Sequence, residues 1–151
     1  MEVTIKKATK ENVFVANDLL TELIRDEKQY DTNINQDCKV LNCYENFIDN
    51  ENNCILFAFV GDQIVGYLYG YVIDGGDAYL EKVSQLEAMY VKDAYRGNKI
   101  GSMLMKEFKN WSHKKNVRYM ELKVCTSNQN AICLYQKEGF STIKYIMGIK
   151  L

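Results

Sequence analysis

The chain predicts a mixed α/β domain, one sheet with helices on both faces. Three stretches carry that prediction. Residues 86–91 mix apolar, β-branched and aromatic side chains as a strand does, then run through a turn into Ile100, Leu104, Phe108 and Trp111 at helical spacing. Residues 54–60 and 64–73 are two strand-like runs around Gly61 and Asp62, a hairpin signal. Residues 119–124 read as a further strand, followed by a helix that opens on Ser127, Asn128, Gln129, Asn130 and Ala131 and ends near Gly139 and Phe140.

The remaining elements follow in order. Val3 and Ile5 alternate with polar neighbours as a short first strand, and Val13, Ala16, Leu20, Leu23 and Ile24 form a helical stripe with Thr9 as its N-cap. After the polar stretch 31–36 comes a second helix, with Val40 or Leu41, Tyr44, Phe47 and Ile48 on its face. Asp74, Gly75, Gly76 and Asp77 end the hairpin and lead to the strand carrying Glu87, and a last strand follows Phe140. The predicted order is therefore β α α β β β α β α β. No repeat, linker or low-complexity tract divides residues 1–151, which read as one domain.

Composition narrows the function. With 47% hydrophobic residues the chain can bury a core without disulfides or metal. A net charge of -1 gives no electrostatic case for nucleic acid or an anionic membrane. The longest apolar run, 54–60, falls well short of the roughly 20 residues of a membrane span. Met1 to Lys7 lack the charged-then-apolar pattern of an export signal, so a cytoplasmic location is expected. The cysteines Cys38, Cys43, Cys54, Cys125 and Cys133 are odd in number and lack zinc-site spacing, and the single histidine, His113, lies among Lys114 and Lys115. Free thiols, a solvated histidine and no metal are expected.

The helix that begins near Ile100 opens on Gly97, Gly101 and Ser102, so its unpaired backbone N–H groups are little obstructed and its positive dipole end faces the loop. Such a terminus binds phosphate. The run Arg96, Gly97, Asn98, Lys99, Ile100, Gly101 resembles motif A of the GNAT superfamily of N-acetyltransferases: Arg or Gln, two residues, Gly, one residue, then Gly or Ala. Lys99 stands where that pattern has Gly. Either the turn keeps Lys99 at negative φ, or its cation offsets, near phosphate, a strain of about 1–2 kcal/mol.

The resemblance extends over residues 86–140, and what it implies is specific. The fold would be a single mixed, mostly antiparallel sheet in which the strands at Leu86 and Tyr119 run parallel and splay apart. Acetyl-coenzyme A would be the co-substrate, its pyrophosphate on the loop Arg96, Gly97, Asn98, Lys99, Ile100, Gly101 and Ser102. Its pantetheine arm would take strand-like hydrogen bonds from Met89, Tyr90 and Val91, in the crevice where an open α/β sheet is expected to hold a ligand. Asn128 would contact the cofactor, and Tyr135 would stand beside the thioester sulfur as general acid. Its hydroxyl, with a pKa near 10, suits protonation of a leaving thiolate whose pKa is about 8.5. The other reading of Tyr135 is an aromatic packed with Ala131 and Leu134.

An amine of pKa about 10.4 costs roughly 4.6 kcal/mol to deprotonate at pH 7, so some group must accept its proton. Glu87, on the strand beside the thioester and on the face of Met89, is the candidate base. The run Leu86, Glu87, three residues, Val91, then Tyr95, Arg96, Gly97 is similar to that of polyamine N-acetyltransferases, which carry the proposed base at the Glu87 position. The other reading of Glu87 is a solvated strand carboxylate or a partner of Lys123. Lys123 itself stands where N-terminal acetyltransferases of ribosomal proteins carry a catalytic Glu, which argues against peptide N-termini. Asp26, Glu27, Asp31 and Asp37 bracket the inter-helix loop and suit a cationic amine or simply solvent, and Ala88 replaces the acidic residue of the polyamine enzymes.

The reading is thus an N-acetyltransferase for a primary amine of a small cationic molecule, polyamine-like or aminoglycoside-like. The alternatives are a protein lysine or N-terminal acetyltransferase and a non-catalytic acyl-coenzyme A sensor. The expected partners are the amine acceptor and, at most, a second copy in a homodimer.

Overall fold

The computed structural model describes residues 1–151. Five strands, β1 (Thr4–Lys7), β2 (Asn53–Val60), β3 (Gln63–Ile73), β4 (Val83–Val91) and β5 (Tyr119–Leu122), form one sheet in sequence order. Neighbours are antiparallel except β4 and β5, which are parallel. Helix α1 (Val15–Glu27) covers one face, and α2 (Ile100–Lys114) the other, with α3 (Gln129–Lys137) following β5. The sheet is buried on both sides: Cys54, Leu56, Ala58 and Leu68 pack with Leu104, Phe108 and Trp111 of α2, while Ile55, Phe57, Tyr67 and Tyr69 pack with Ala16 and Leu19 of α1. Two-sided burial explains why β2 reads as an unbroken apolar run rather than an alternation.

Gly61 makes the β2–β3 turn at φ +57°, a conformation that glycine adopts without a Cβ clash. Gly70 serves packing instead, since a Cβ there would stand 2.6 Å from Phe108 Cε2 and 2.7 Å from the Gln85 carbonyl.

Two expected elements are missing. The second helix is a single 3-10 turn at Tyr44–Asn46 inside an irregular loop. Side chains of α1 capture the backbone that leads into it: Cys43 N and Tyr44 N donate to Asn17 Oδ1 at 3.1 and 3.2 Å, and Val40 N donates to Thr21 Oγ1 at 3.0 Å, leaving only the short bonds of Asn46 N to Cys43 O and Phe47 N to Tyr44 O within the turn. Asn42, at φ +52°, breaks any helix that would pass through it. The apolar stripe is real but belongs to a loop: Tyr44 is buried, whereas Leu41 is exposed. The last strand is also absent, because residues 141–151 pair with nothing and are exposed throughout. Thr9 is not a side-chain cap either; it accepts from Asn12 N and Val13 N in a turn, and α1 begins only at Val15.

Candidate active site

The β4–β5 ladder is short. It runs from Val83 opposite Tyr119 to Leu86 opposite Leu122 and stops there, while β4 continues to Val91. The strands therefore part, as the resemblance implied. The residue at which they part is Glu87, and a β-bulge explains why: Tyr69 pairs with Ala88 and Gly70 with Leu86, leaving Glu87 without a partner on β3. One extra residue flips the alternation, so Leu86 and Met89 both pack on the α2 side while Ala88 and Tyr90 pack on the α1 side. Glu87 is turned to the α1 side, not to the face of Met89. It is also exposed rather than buried, and its Oε2 accepts from the Tyr71 hydroxyl at 3.4 Å rather than from Lys123.

Beyond the bulge, Lys92 N donates to Val65 O at 2.9 Å and the Tyr90 carbonyl points at Gly66 on β3. By strand alternation the peptides of Met89 and Val91 then face the gap beside β5, and that of Tyr90 does not. Val91 O is already taken by Arg96 Nε at 2.9 Å. Met89 N–H, Met89 C=O and Val91 N–H remain for a ligand strand.

At the end of β4 the chain makes a 3-10 turn (Asp93–Tyr95) and enters α2 through Arg96, Gly97, Asn98 and Lys99. Gly97 sits at φ +79° and Lys99 at φ +61°, so Lys99 occupies the left-handed conformation for which the motif reserves glycine. No backbone N–H from Gly97 to Ser102 has a protein acceptor; the first to bond is Met103 N, onto Lys99 O at 3.0 Å. This row of free donors at the start of a fifteen-residue helix fits a pyrophosphate. Gly101 borders the gap, where an added Cβ would lie 3.4 Å from Leu134 and 3.5 Å from Met89, in ordinary contact.

Two loop side chains serve the loop itself. Asn98 Nδ2 donates to Tyr95 O and Arg96 O at 3.0 and 3.2 Å. Arg96 bonds Asp26 of α1 at 2.6 Å and Asp93 at 2.8 Å, and its guanidinium lies 5.3 Å from the centre of the Tyr90 ring. Asn128 caps α3 by accepting from Ala131 N at 3.2 Å. Tyr135 packs edge-on against Phe140, with ring centres 5.9 Å apart, and its hydroxyl has no protein partner. Burial, and after it the Glu27 carboxylate, pushes that hydroxyl up to about 12.

On the α1 side lies a cavity of about 530 Å³ whose walls are mainly Leu20, Leu23, Tyr44, Phe47, Tyr69 and Tyr71. Its only charged groups are Glu27 and Glu87. Burial, with Asp31, Asp26 and Glu87 adding to it, holds the Glu27 carboxyl above the usual range. Of the four acids expected to bracket the loop, only Glu27 lines this cavity; Asp26 is bound to Arg96, and Asp31 and Asp37 lie outside the walls. Tyr71 and Tyr69 carry no motif and became visible only through the register of β3. Nowhere do three His, Cys, Asp or Glu side chains gather as metal ligands, and all five cysteines are free. No helix is long and apolar enough to cross a membrane.

Solved structures share this architecture at low sequence identity. The BH1408 protein from Bacillus halodurans is similar over 98% of this chain and 99% of its own, at 19% identity and a TM-score of 0.86. An aminoglycoside acetyltransferase from an uncultured soil metagenomic sample matches over 100% and 99%, at 18% identity and a TM-score of 0.78. A ribosomal-protein-alanine N-acetyltransferase from Brucella melitensis biovar Abortus matches over 99% and 100%, at 16% identity and 0.70. In sequence, residues 18–140 match the acetyltransferase (GNAT) family, a span that takes in most of α1, the bulged strand, the turn that enters α2, and α3. The chain therefore belongs to the GNAT family of N-acetyltransferases, acyltransferases that use acetyl-coenzyme A as co-substrate.

Proposed function

We propose that the protein acetylates a primary amine on a small cationic molecule, by direct attack in a ternary complex. The observation that carries this reading is the pair Glu27 and Glu87, the only charges in an otherwise mainly aromatic and aliphatic cavity that reaches β4 at Glu87, the first residue past its ladder with β5. A carboxylate pair with no basic side chain beside it attracts ammonium groups, and tyrosine and phenylalanine walls suit a cation with an apolar or ring-shaped body. The aminoglycoside acetyltransferase likeness supports an acceptor of this kind. Lys123, exposed at the end of β5, speaks against peptide N-termini.

The donor supplies the acetyl group as a thioester, with its pyrophosphate on the free N–H groups of Gly97 to Ser102 and its arm along Met89 and Val91. Glu87, exposed at the mouth of the gap, takes the ammonium proton directly or through a water, and the freed lone pair forms the C–N bond. Glu27 holds the acceptor's positive charge close to that carboxylate. Tyr135, protonated at neutral pH as any phenol is, places that hydrogen on the sulfur as the C–S bond breaks, and the second proton shed by the nitrogen as the amide forms restores the phenol through solvent.

The test is coenzyme A thiol release across a panel of diamines, aminoglycosides, peptide lysines and peptide N-termini. Turnover with small polycations, falling at least tenfold in Glu87→Gln and in Tyr135→Phe with acetyl-coenzyme A affinity unchanged, is expected. Turnover confined to peptides would overturn the acceptor class. Binding of acetyl-coenzyme A with no acceptor turned over would make the protein a sensor.

A further inference from the structure

Three consecutive residues close α1, and each reaches a different part of the protein. Glu27 lines the cavity. Lys28 Nζ donates to Thr32 O and Ile34 O at 2.6 and 2.7 Å, fastening the loop that follows the helix. Asp26 crosses to a segment 70 residues further along the chain, where its Oδ2 accepts from Arg96 Nη2 at 2.6 Å. Arg96 has other partners as well: Nε donates to Val91 O at 2.9 Å, Nη1 pairs with Asp93 Oδ1 at 2.8 Å, and the guanidinium lies 5.3 Å from the centre of the Tyr90 ring. A planar fork holds three oxygens and an aromatic face at once, which an ammonium cannot do. One side chain thereby ties together the end of β4, the turn that enters α2 and the last turn of α1. The Arg96 and Asp26 side chains are 49% and 37% exposed, so the pair adds little stability. What it fixes is position.

We propose that Asp26 is a positioning residue for acetyl transfer, acting through Arg96 to hold the cavity beside Glu27 in register with the donor turn. Donor phosphates on the free N–H groups of Gly97 to Ser102 order that turn, Arg96 carries the constraint to Asp26, and the neighbouring Glu27 is held at its place in the cavity wall with Glu87. Asp93 grips the same guanidinium but belongs to the turn before Arg96, so it steadies the donor side without reaching α1. Two carboxylates on one cation thus have separable roles, and only Asp26 joins the two sites. The part that concerns Glu27 rests on the reading of its cavity as the acceptor site, whereas the link between the donor turn and α1 does not.

Hydrogen exchange tests that link without any acceptor. Saturating coenzyme A should slow exchange at residues 97–102 and also at residues 26–34; in Asp26→Asn the second effect should vanish and the first remain. Protection of 97–102 without protection of 26–34 in the native protein, or protection of 26–34 that survives in Asp26→Asn, overturns the proposal. No protection at 97–102 overturns the donor site, and the proposal with it. Steady-state kinetics with a diamine or aminoglycoside acceptor then separates the two carboxylates. Asp26→Asn should raise acceptor KM about fivefold or more with kcat within about twofold of native, whereas Asp93→Asn should raise the KM of acetyl-coenzyme A alone. Arg96→Lys should show both losses, and Asp26→Asn should add nothing to acceptor KM in that background. Equal effects of Asp26→Asn and Asp93→Asn on acceptor KM, or additive losses in the double variant, overturn the proposal. If neither class of acceptor is turned over, the acceptor reading fails and the exchange experiment alone decides the role of Asp26.

Discussion

Lys99 holds a left-handed backbone at φ +61° in the middle of the turn that enters α2, with its side chain exposed. From the sequence, a negative φ and a strained turn with a compensating cation were both open; the backbone adopts the strained form. Lys99→Gly should then raise stability by about 1 kcal/mol, read as a higher Tm. If the ammonium also meets phosphate, the same variant should bind acetyl-coenzyme A more weakly, with the difference shrinking at high salt. Glu27 gives a second residue-scale prediction. Its folded pKa lies above the unfolded value, so the folded state binds more protons between the two, and stability falls as pH rises through that window. Glu27→Gln should raise Tm at neutral pH, with the gain vanishing below pH about 4, while acceptor KM rises. No pattern in the sequence separates Glu27 from Asp26 or Asp31. Only the turn of α1 decides that one carboxylate faces the cavity and its neighbour meets Arg96.

At the level of elements, the loop that replaces the expected second helix is held by Asn17. One side chain accepts from Cys43 N and Tyr44 N and donates to both oxygens of Glu45 at 2.9 Å. Asn17→Ala leaves those amides and a carboxylate without partners, and should cost about 2–3 kcal/mol by chemical denaturation. Because Tyr44 and Phe47 wall the cavity, the variant should raise acceptor KM and leave acetyl-coenzyme A affinity unchanged. The apolar spacing of Tyr44, Phe47 and Ile48 was legible, and so was its burial. Its conformation was not, because periodicity carries no record of side chains elsewhere that capture a backbone. Strands β2, β3 and β4 and helix α2 were legible for the opposite reason: their long apolar runs and stripes are satisfied within the elements and by a two-sided core. The Glu87 bulge escaped notice because one unpaired residue leaves no mark on composition.

For the molecule as a whole, a ligand that binds only the native state stabilises it by about 2.7 kcal/mol at a hundredfold excess over Kd, so acetyl-coenzyme A should raise Tm by several degrees and ATP and NAD should not. Gly101→Glu, which would drive a charged side chain into the gap between Met89 and Leu134, should abolish that shift and leave the unliganded Tm close to native. The architecture and the turn that enters α2 were legible because they depend on short local patterns, whereas the cavity beside Glu27 and Glu87 is assembled from α1, a loop and two strands far apart in sequence. The β4 bulge joins these scales through counting. Glu87 is the one extra residue that stands outside the ladder with β3, so position 87 matters as a place in the strand apart from the carboxylate it bears. Glu87→Ala should lose turnover and keep donor binding. Deletion of Glu87 should lose both for a different reason: Leu86, Ala88, Met89 and Val91 would keep their β3 partners and their faces in an unbroken ladder, and the two parallel strands could zip past Leu86, closing the crevice without altering any residue of the turn that enters α2.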